Sequence, residues 1–170
     1  MERYAAAGYE TWYVHGFDGK FYGREQNYDS LGFRNVKFNQ DLAAEGLSQC
    51  HWGNVGFEGI CDSSMVVYLE RLLSDSVTRF VYWTTLDSHP PYDTQKRPES
   101  EICKGMNDVE CIHAVRIRHT LEGIAYLAKR HPEYRFVVRG DHRPMGALTA
   151  TSFITSFYHL WVPMVVLNLD

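Results

Sequence analysis

Three histidines stand where a predicted strand gives way to a loop. His15 follows residues 10–14, His89 follows 78–86, and His142 follows the apolar run Phe136, Val137, Val138 with Gly140 and Asp141 between. Arg24 comes nine residues after His15, at the start of a predicted helix. A carboxylate beside an imidazole, as in Asp141-His142, can place oxygen and nitrogen on one divalent cation. A guanidinium fork suits the oxygens of a phosphoryl or sulfuryl group, and an imidazole can protonate a leaving oxygen. The alternative for Gly140 and Asp141 is a turn in which both serve only the backbone. Each residue alone is an ordinary loop residue; the joint arrangement carries the argument.

That arrangement needs strands whose carboxyl ends lie side by side. Glu10 to His15 carries Trp12, Tyr13 and Val14 and reads as a strand, with 16–19 as a turn and 24–31 as a short helix stopped by Gly32. Residues 34–60 show no period, broken by Gly46, Gly53, Gly56 and Gly59. Asp62 or Ser63 is placed to cap a helix whose Met65, Val66, Leu69, Leu72 and Leu73 share an apolar face. The β-prone stretch 78–86 ends at His89-Pro-Pro-Tyr92, and a polar loop runs to about residue 110. Val115, Leu121, Ile124, Leu127 and Ala128 recur at helical spacing over 111–130, and Pro132 ends that helix. The β-branched run at 136–138 fits a strand buried on both faces, and 162–169 a further buried strand. Alternation of strand and helix predicts a single α/β unit over residues 1–170, with a mostly parallel central sheet and helices on both faces. Open sheets of this kind keep their ligands at the carboxyl ends of the strands.

The chain's 170 residues are enough for one core, and 45% are hydrophobic. A net charge of −4 offers no broad basic surface for nucleic acid. Cys50 and Cys61 enclose ten residues, and Cys103 and Cys111 enclose seven; neither gap is a zinc spacing. Two local pairs in loops suggest disulfides Cys50–Cys61 and Cys103–Cys111 and an oxidising compartment, with buried thiols as the alternative. Residues 147–169 hold no Asp, Glu, Lys or Arg before Asp170, yet Thr149, Thr151, Ser152, Thr155, Ser156, His159 and Pro163 make the stretch too polar for lipid. We read it as a helix followed by a strand, with no transmembrane segment.

The segment Val14-His-Gly-Phe-Asp-Gly-Lys-Phe-Tyr-Gly-Arg-Glu-Gln-Asn-Tyr-Asp-Ser-Leu-Gly-Phe33 resembles the H-x8-R block of the sulfatase-like phosphotransferases of the alkaline phosphatase superfamily. These comprise lipoteichoic acid synthases, phosphoglycerol transferases and phosphoethanolamine transferases. Trp52-Gly53, Thr84-Thr-Leu-Asp-Ser-His-Pro-Pro-Tyr92, Gly140-Asp-His142 and Val162-Pro-Met-Val-Val166 recur in the family's order. The resemblance implies an alkaline-phosphatase-like fold, incomplete here. It implies Asp141 and His142 as ligands of a divalent cation (Mn²⁺, Zn²⁺ or Mg²⁺). His15, Arg24 and His89 would hold the phosphoryl group or head group, with Arg24 and His89 also catalytic, and Tyr22 would lie beside the substrate. Arg143 and Pro144 stand where relatives often carry small or acidic residues, so the surroundings of the Asp-His pair differ.

The resemblance further implies a Thr or Ser nucleophile and an acidic ligand upstream of these residues; Thr11, inside a predicted strand, does not suit the first role. The implied reaction moves a phosphoglycerol or phosphoethanolamine head group from a phospholipid to an envelope glycan or lipid, on the periplasmic or cell-surface side of an inner-membrane-anchored parent. On this reading the 170 residues alone are inactive and need the missing N-terminal part as partner. Two other functions fit the same fold: a non-catalytic phosphate-binding or interaction module, and a sulfuric ester hydrolase. The latter would need a Cys or Ser in a formylglycine-type motif, which none of the four cysteines occupies.

Overall fold

The computed structural model describes residues 1–52, 57–141 and 162–169. At its centre are three parallel strands in the order β2 (Asn35–Lys37), β1 (Glu10–His15) and β5 (Arg79–Thr84). The β1–β5 register pairs Glu10 with Arg79 and His15 with Thr84, so both strands end at the same edge. Arg79 fastens the opposite edge. Its Nε donates to Glu10 at 2.8 Å and its Nη2 to Asp75 at 2.7 Å.

Alternation along β1 sends side chains to two different cores. Val14, fully buried, packs with Leu42, Ile60, Met65, Tyr68, Leu69 and Leu127, which come from α3 (Asn39–Ala44), α4 (Asp62–Leu73), α5 (Asp108–Arg130) and the chain before α4. Tyr13 faces the other way, into Phe33 and Phe38, and stacks on Tyr28 of α2 (Arg24–Ser30) at 3.5 Å between ring centroids. Tyr4 of α1 (Glu2–Ala6) meets Phe80 on that side. Helices therefore cover both faces of a parallel sheet, as the sequence pattern predicts.

Residues 34–60 are more ordered than their composition suggests. Besides β2 and α3 they contain the antiparallel hairpin of β3 (Gln49–Trp52) and β4 (Phe57–Ile60). Elements of three to six residues are too short to impose a readable period. The long helix also begins earlier, at Asp108, because Asn107 and Glu110 form a reciprocal capping box: each side chain accepts from the other's backbone N–H.

The strand β6 (Phe136–Arg139) departs from expectation. Among the described residues it pairs only with β7 (Met164–Leu167), antiparallel, and not with β5. It is not buried on both faces: Phe136 packs against the core of Val14 and Leu127, whereas Val137 is 58% exposed. Nor is β7 a buried strand, since Met164 and Val165 are exposed. An apolar β-branched run signals strand without saying which face is covered. Asn168 ties this hairpin to the helix layer, its Nδ2 donating to the carbonyls of Ala128 at 2.8 Å and Tyr134 at 3.0 Å beyond the end of α5. The predicted helix after residue 147 lies outside the described residues, and no described helix is long and apolar enough to cross a membrane.

Both expected disulfides are present, Cys50–Cys61 and Cys103–Cys111. The first joins β3 to the residue before α4; the second fastens the polar loop to the first turn of α5. Each closes a short loop worth about 2–3 kcal/mol in unfolded-state entropy. Replacing Cys103 and Cys111 by Ser should lower the unfolding free energy by about that much. The check is a denaturant titration alongside non-reducing peptide mapping, which should recover both pairs.

Candidate active site

The site grows from the last residue of β1. His15 is 1% exposed, with its ring between β5 and the start of α2. A guanidinium can only donate, so the 2.9 Å contact between Arg24 Nη1 and His15 Nε2 makes that nitrogen an acceptor. The proton is therefore on Nδ1, which donates to the carbonyl of Thr84 at 2.9 Å. Burial, outweighing the Thr84 bond, lowers the His15 pKa to about 4, and the charges of Arg24 and His89 act in the same direction. His15 is thus a neutral imidazole of fixed tautomer whose two nitrogens both serve the protein. It aims Arg24.

Arg24 opens α2 after a turn of unusual backbone. Tyr22 lies at φ 58°, ψ 20°, and Gly23 at φ 62°. Glycine takes the left-handed region freely, but for a bulky L residue it costs about 1 kcal/mol or more. Tyr22 gains little burial in return, being 78% exposed; its ring lies 5.7 Å from the Arg24 guanidinium carbon. The ring also meets Phe21 edge-on at 4.4 Å, so a strained, solvent-facing aromatic flanks the anchored arginine.

His89 comes from the loop after β5, next to the strand that carries His15. It is exposed, and its Nδ1 contacts the carbonyl of Pro90. The loop is held from the helix layer. Tyr92 Oη donates to the carbonyl of Ser88 and lies 2.6 Å from His113 Nδ1, while Arg116 Nη1 donates to the carbonyl of Asp87 at 3.3 Å. The structure thus brings His15, Arg24, Tyr22 and His89 to one edge of the β1–β5 pair. His113 and Arg116 carry no sequence signal for this role, because they reach the loop from α5 through contacts with Tyr92 and with the carbonyls of Ser88 and Asp87.

Asp141, exposed, follows β6, and the paired His142 lies outside the described residues. Tyr82 of β5, its pKa raised by burial first, feels Arg139 and Asp141 in opposite senses, so the end of β6 is within electrostatic reach of the sheet. Among the described residues no three His, Cys, Asp or Glu side chains gather closely enough to hold a metal ion. One exposed carboxylate does not make a cation site, and three or four ligands are usual. Thr11, buried in β1, accepts from the Arg34 N–H at 3.0 Å and points its hydroxyl toward the carbonyl of Gly32, so it is engaged in the fold.

Solved structures share the fold, three of them as follows. The lipoteichoic acid synthase LtaP from Listeria monocytogenes is 20% identical, with a TM-score of 0.59, covering 83% of this chain and 36% of its own. A protein of the alkaline phosphatase superfamily from Vibrio parahaemolyticus is 19% identical (TM-score 0.59; 98% of this chain, 40% of that one). The phosphoglycerol transferase GacH from Streptococcus pyogenes, solved in complex with sn-glycerol-1-phosphate, is 16% identical (TM-score 0.63; 94% and 44%). The chain therefore spans 36–44% of these relatives' length. No curated protein matches it. The Sulfatase family model, however, matches residues 1–142, from the first helix through β1, β5 and β6 to the Asp-His pair. On a match over that much of its length, the chain belongs to the sulfatase family.

Proposed function

We propose that these residues form part of a phosphotransferase or hydrolase that moves a phosphoglycerol or phosphoethanolamine head group from a phospholipid to an envelope glycan or lipid, outside the cytoplasm, in an inner-membrane-anchored parent. The observation that carries this reading is the His15–Arg24 pair. A neutral imidazole orients a guanidinium at a strand's carboxyl end, and among the described residues the rest of its donor fork is uncommitted. Two disulfides agree with an oxidising compartment.

In this reading Arg24 binds the phosphoryl oxygens, Tyr22 forms a wall for the head group, and His15 keeps Arg24 in place. A hydroxyl from outside these residues loses its proton to solvent and bonds to phosphorus as the bond to the lipid oxygen breaks, with His89 giving that oxygen a proton. The acceptor's hydroxyl then bonds to phosphorus as the first oxygen leaves and takes up a proton from solvent, and the acceptor's proton passes to His89. Asp141 and His142 would offer two ligands to a divalent cation, and the remaining ligands would come from outside the chain.

The test is a titration of the chain with sn-glycerol-1-phosphate, phosphoethanolamine and phenyl sulfate, followed by NMR. The two phosphate esters should shift the Arg24 side-chain and His89 ring signals, and Arg24→Ala should weaken binding by about tenfold or more. Preference for the sulfate ester would select a sulfuric ester hydrolase. Absence of any shift at Arg24 or His89 would reject the site. The chain alone should not hydrolyse nitrophenyl phosphate with Mn²⁺ or Zn²⁺ added; turnover lost in Asp141→Asn would put the nucleophile within these residues.

A further inference from the structure

Asp62 is the first residue of α4 and is 2% exposed. The position suggests a helix cap, but its carboxylate does not serve its own helix. Oδ1 accepts from the backbone N–H of Leu86 at 2.9 Å. Oδ2 accepts from the N–H of Asp87 at 3.2 Å and from the hydroxyl of Thr120, on α5, at 2.8 Å. The exchange is reciprocal, since Asp62 N–H donates to Asp87 Oδ1 at 3.1 Å. Leu86 in turn accepts from the N–H of His89 at 2.9 Å. One buried carboxylate thus grips two successive amides of the loop, three and two residues before its histidine.

The neighbour on the other side of Cys61 holds the second half of the site. Ile60 N–H donates to the carbonyl of Gly16 at 2.7 Å, directly after His15. A Cβ at Gly16 would come 2.5 Å from the Ile60 oxygen, so this approach requires glycine. Residues 60–62 therefore touch both site loops, and the Cys50–Cys61 disulfide lies between the two contacts.

We propose that Asp62 is a positioning residue: its carboxylate sets the loop that presents His89, and Ile60 beside it holds that loop in register with the turn after His15. Burying a carboxylate is costly, and a packed apolar residue would stabilise a core at least as well. What an apolar residue cannot do is accept from two loop amides and a threonine at once. The consequence for ligand binding rests on the phosphoryl-site reading above; the effect on the loop does not.

The test uses the full chain, with Asp62→Asn and Thr120→Val compared with the unaltered protein. The readouts are NMR amide exchange, the His89 ring signals, and affinity for sn-glycerol-1-phosphate. In Asp62→Asn the amides of Leu86 and Asp87 should exchange about tenfold faster or more, while those of Tyr13 and Val14 in β1 hold their rates. The His89 ring signals should shift and the dissociation constant rise about tenfold. Thr120→Val should give the same pattern more weakly, and it carries the test alone if Asp62→Asn fails to fold. Unchanged loop exchange and His89 signals would overturn the proposal. So would faster exchange spread evenly over β1 and the loop, since Asp62 would then support only overall stability. Loop changes as expected, in a protein that never binds the phosphate ester, would uphold the positioning role and reject the phosphoryl site.

Discussion

Asp62→Asn and His15→Gln should tilt the pH dependence of stability in opposite directions. His15 is buried neutral, with a pKa near 4, against an ordinary value of about 6.5. As pH falls from 6.5 toward 4 the unfolded chain takes up a proton that the native state refuses, so native stability is lost in that window. A shift of that size corresponds to about 3 kcal/mol. Asp62 behaves in the reverse sense. Burial first, then the Asp87 carboxylate, outweigh its three donors and raise its pKa to about 6. As pH rises from about 4 to 6 the unfolded chain releases its proton first, and the native state loses stability by a similar amount, about 3 kcal/mol.

In the unaltered protein the two contributions oppose each other between about pH 4 and 6. Each substitution exposes the other. The unfolding free energy of Asp62→Asn minus that of the unaltered protein should climb by about 3 kcal/mol from pH 4 to 6.5. For His15→Gln the corresponding difference should fall by about as much over the same range. Urea titrations at five or six pH values suffice. Two flat difference curves would mean that neither side chain is held away from water as the geometry requires.

The residues involved show how far a sequence can be read. His15, Arg24 and His89 were legible because each stands at the end of an element whose composition is unambiguous, and because their order resembles a known block. The two disulfides were legible for a similar reason: each pair is close in sequence, so a short loop brings the sulfurs together whatever the wider fold. Asp62 was visible only as a helix-start residue. Its partners lie 24 to 58 residues away, and nothing local in a sequence announces a bond to a distant backbone amide. The β3–β4 hairpin was hidden for another reason, since its glycines read as breaks although its ladder rests on backbone hydrogen bonds. In β6 the residues predicted a strand correctly but not its neighbours. Whether Val137 faces core or water depends on what covers it, and that information lies elsewhere in the chain.

Arg24→Ala should have the largest effect on chemistry when these residues are assayed within a protein that supplies the rest of the domain. The guanidinium reaches the site with Nη1 already committed to His15, leaving its other N–H groups to follow charge as it builds on the phosphoryl oxygens. Losing a donor that strengthens in the transition state costs about 100- to 1000-fold in kcat. Lysine should not restore the loss, because a point charge lacks the fork that can be anchored on one side and bind on the other. Tyr22→Ala should act differently. Its ring flanks Arg24 as an aromatic wall, a contact that ground and transition states should lose alike, so KM should rise with kcat little changed. Removal of the side chain also relieves part of the left-handed strain at residue 22, so Tyr22→Gly should fold at least as stably as the unaltered protein. His15→Gln completes the series. Glutamine can accept from Arg24 through its oxygen but cannot reproduce the ring's rigid link to Thr84, so kcat should fall between the values for Tyr22→Ala and Arg24→Ala. Steady-state kinetics of a fluorescent phospholipid donor would rank the four variants. An Arg24→Ala protein with kcat within twofold of the unaltered one would remove Arg24 from the phosphoryl site and leave the His15–Arg24 pair as a structural link between β1 and α2.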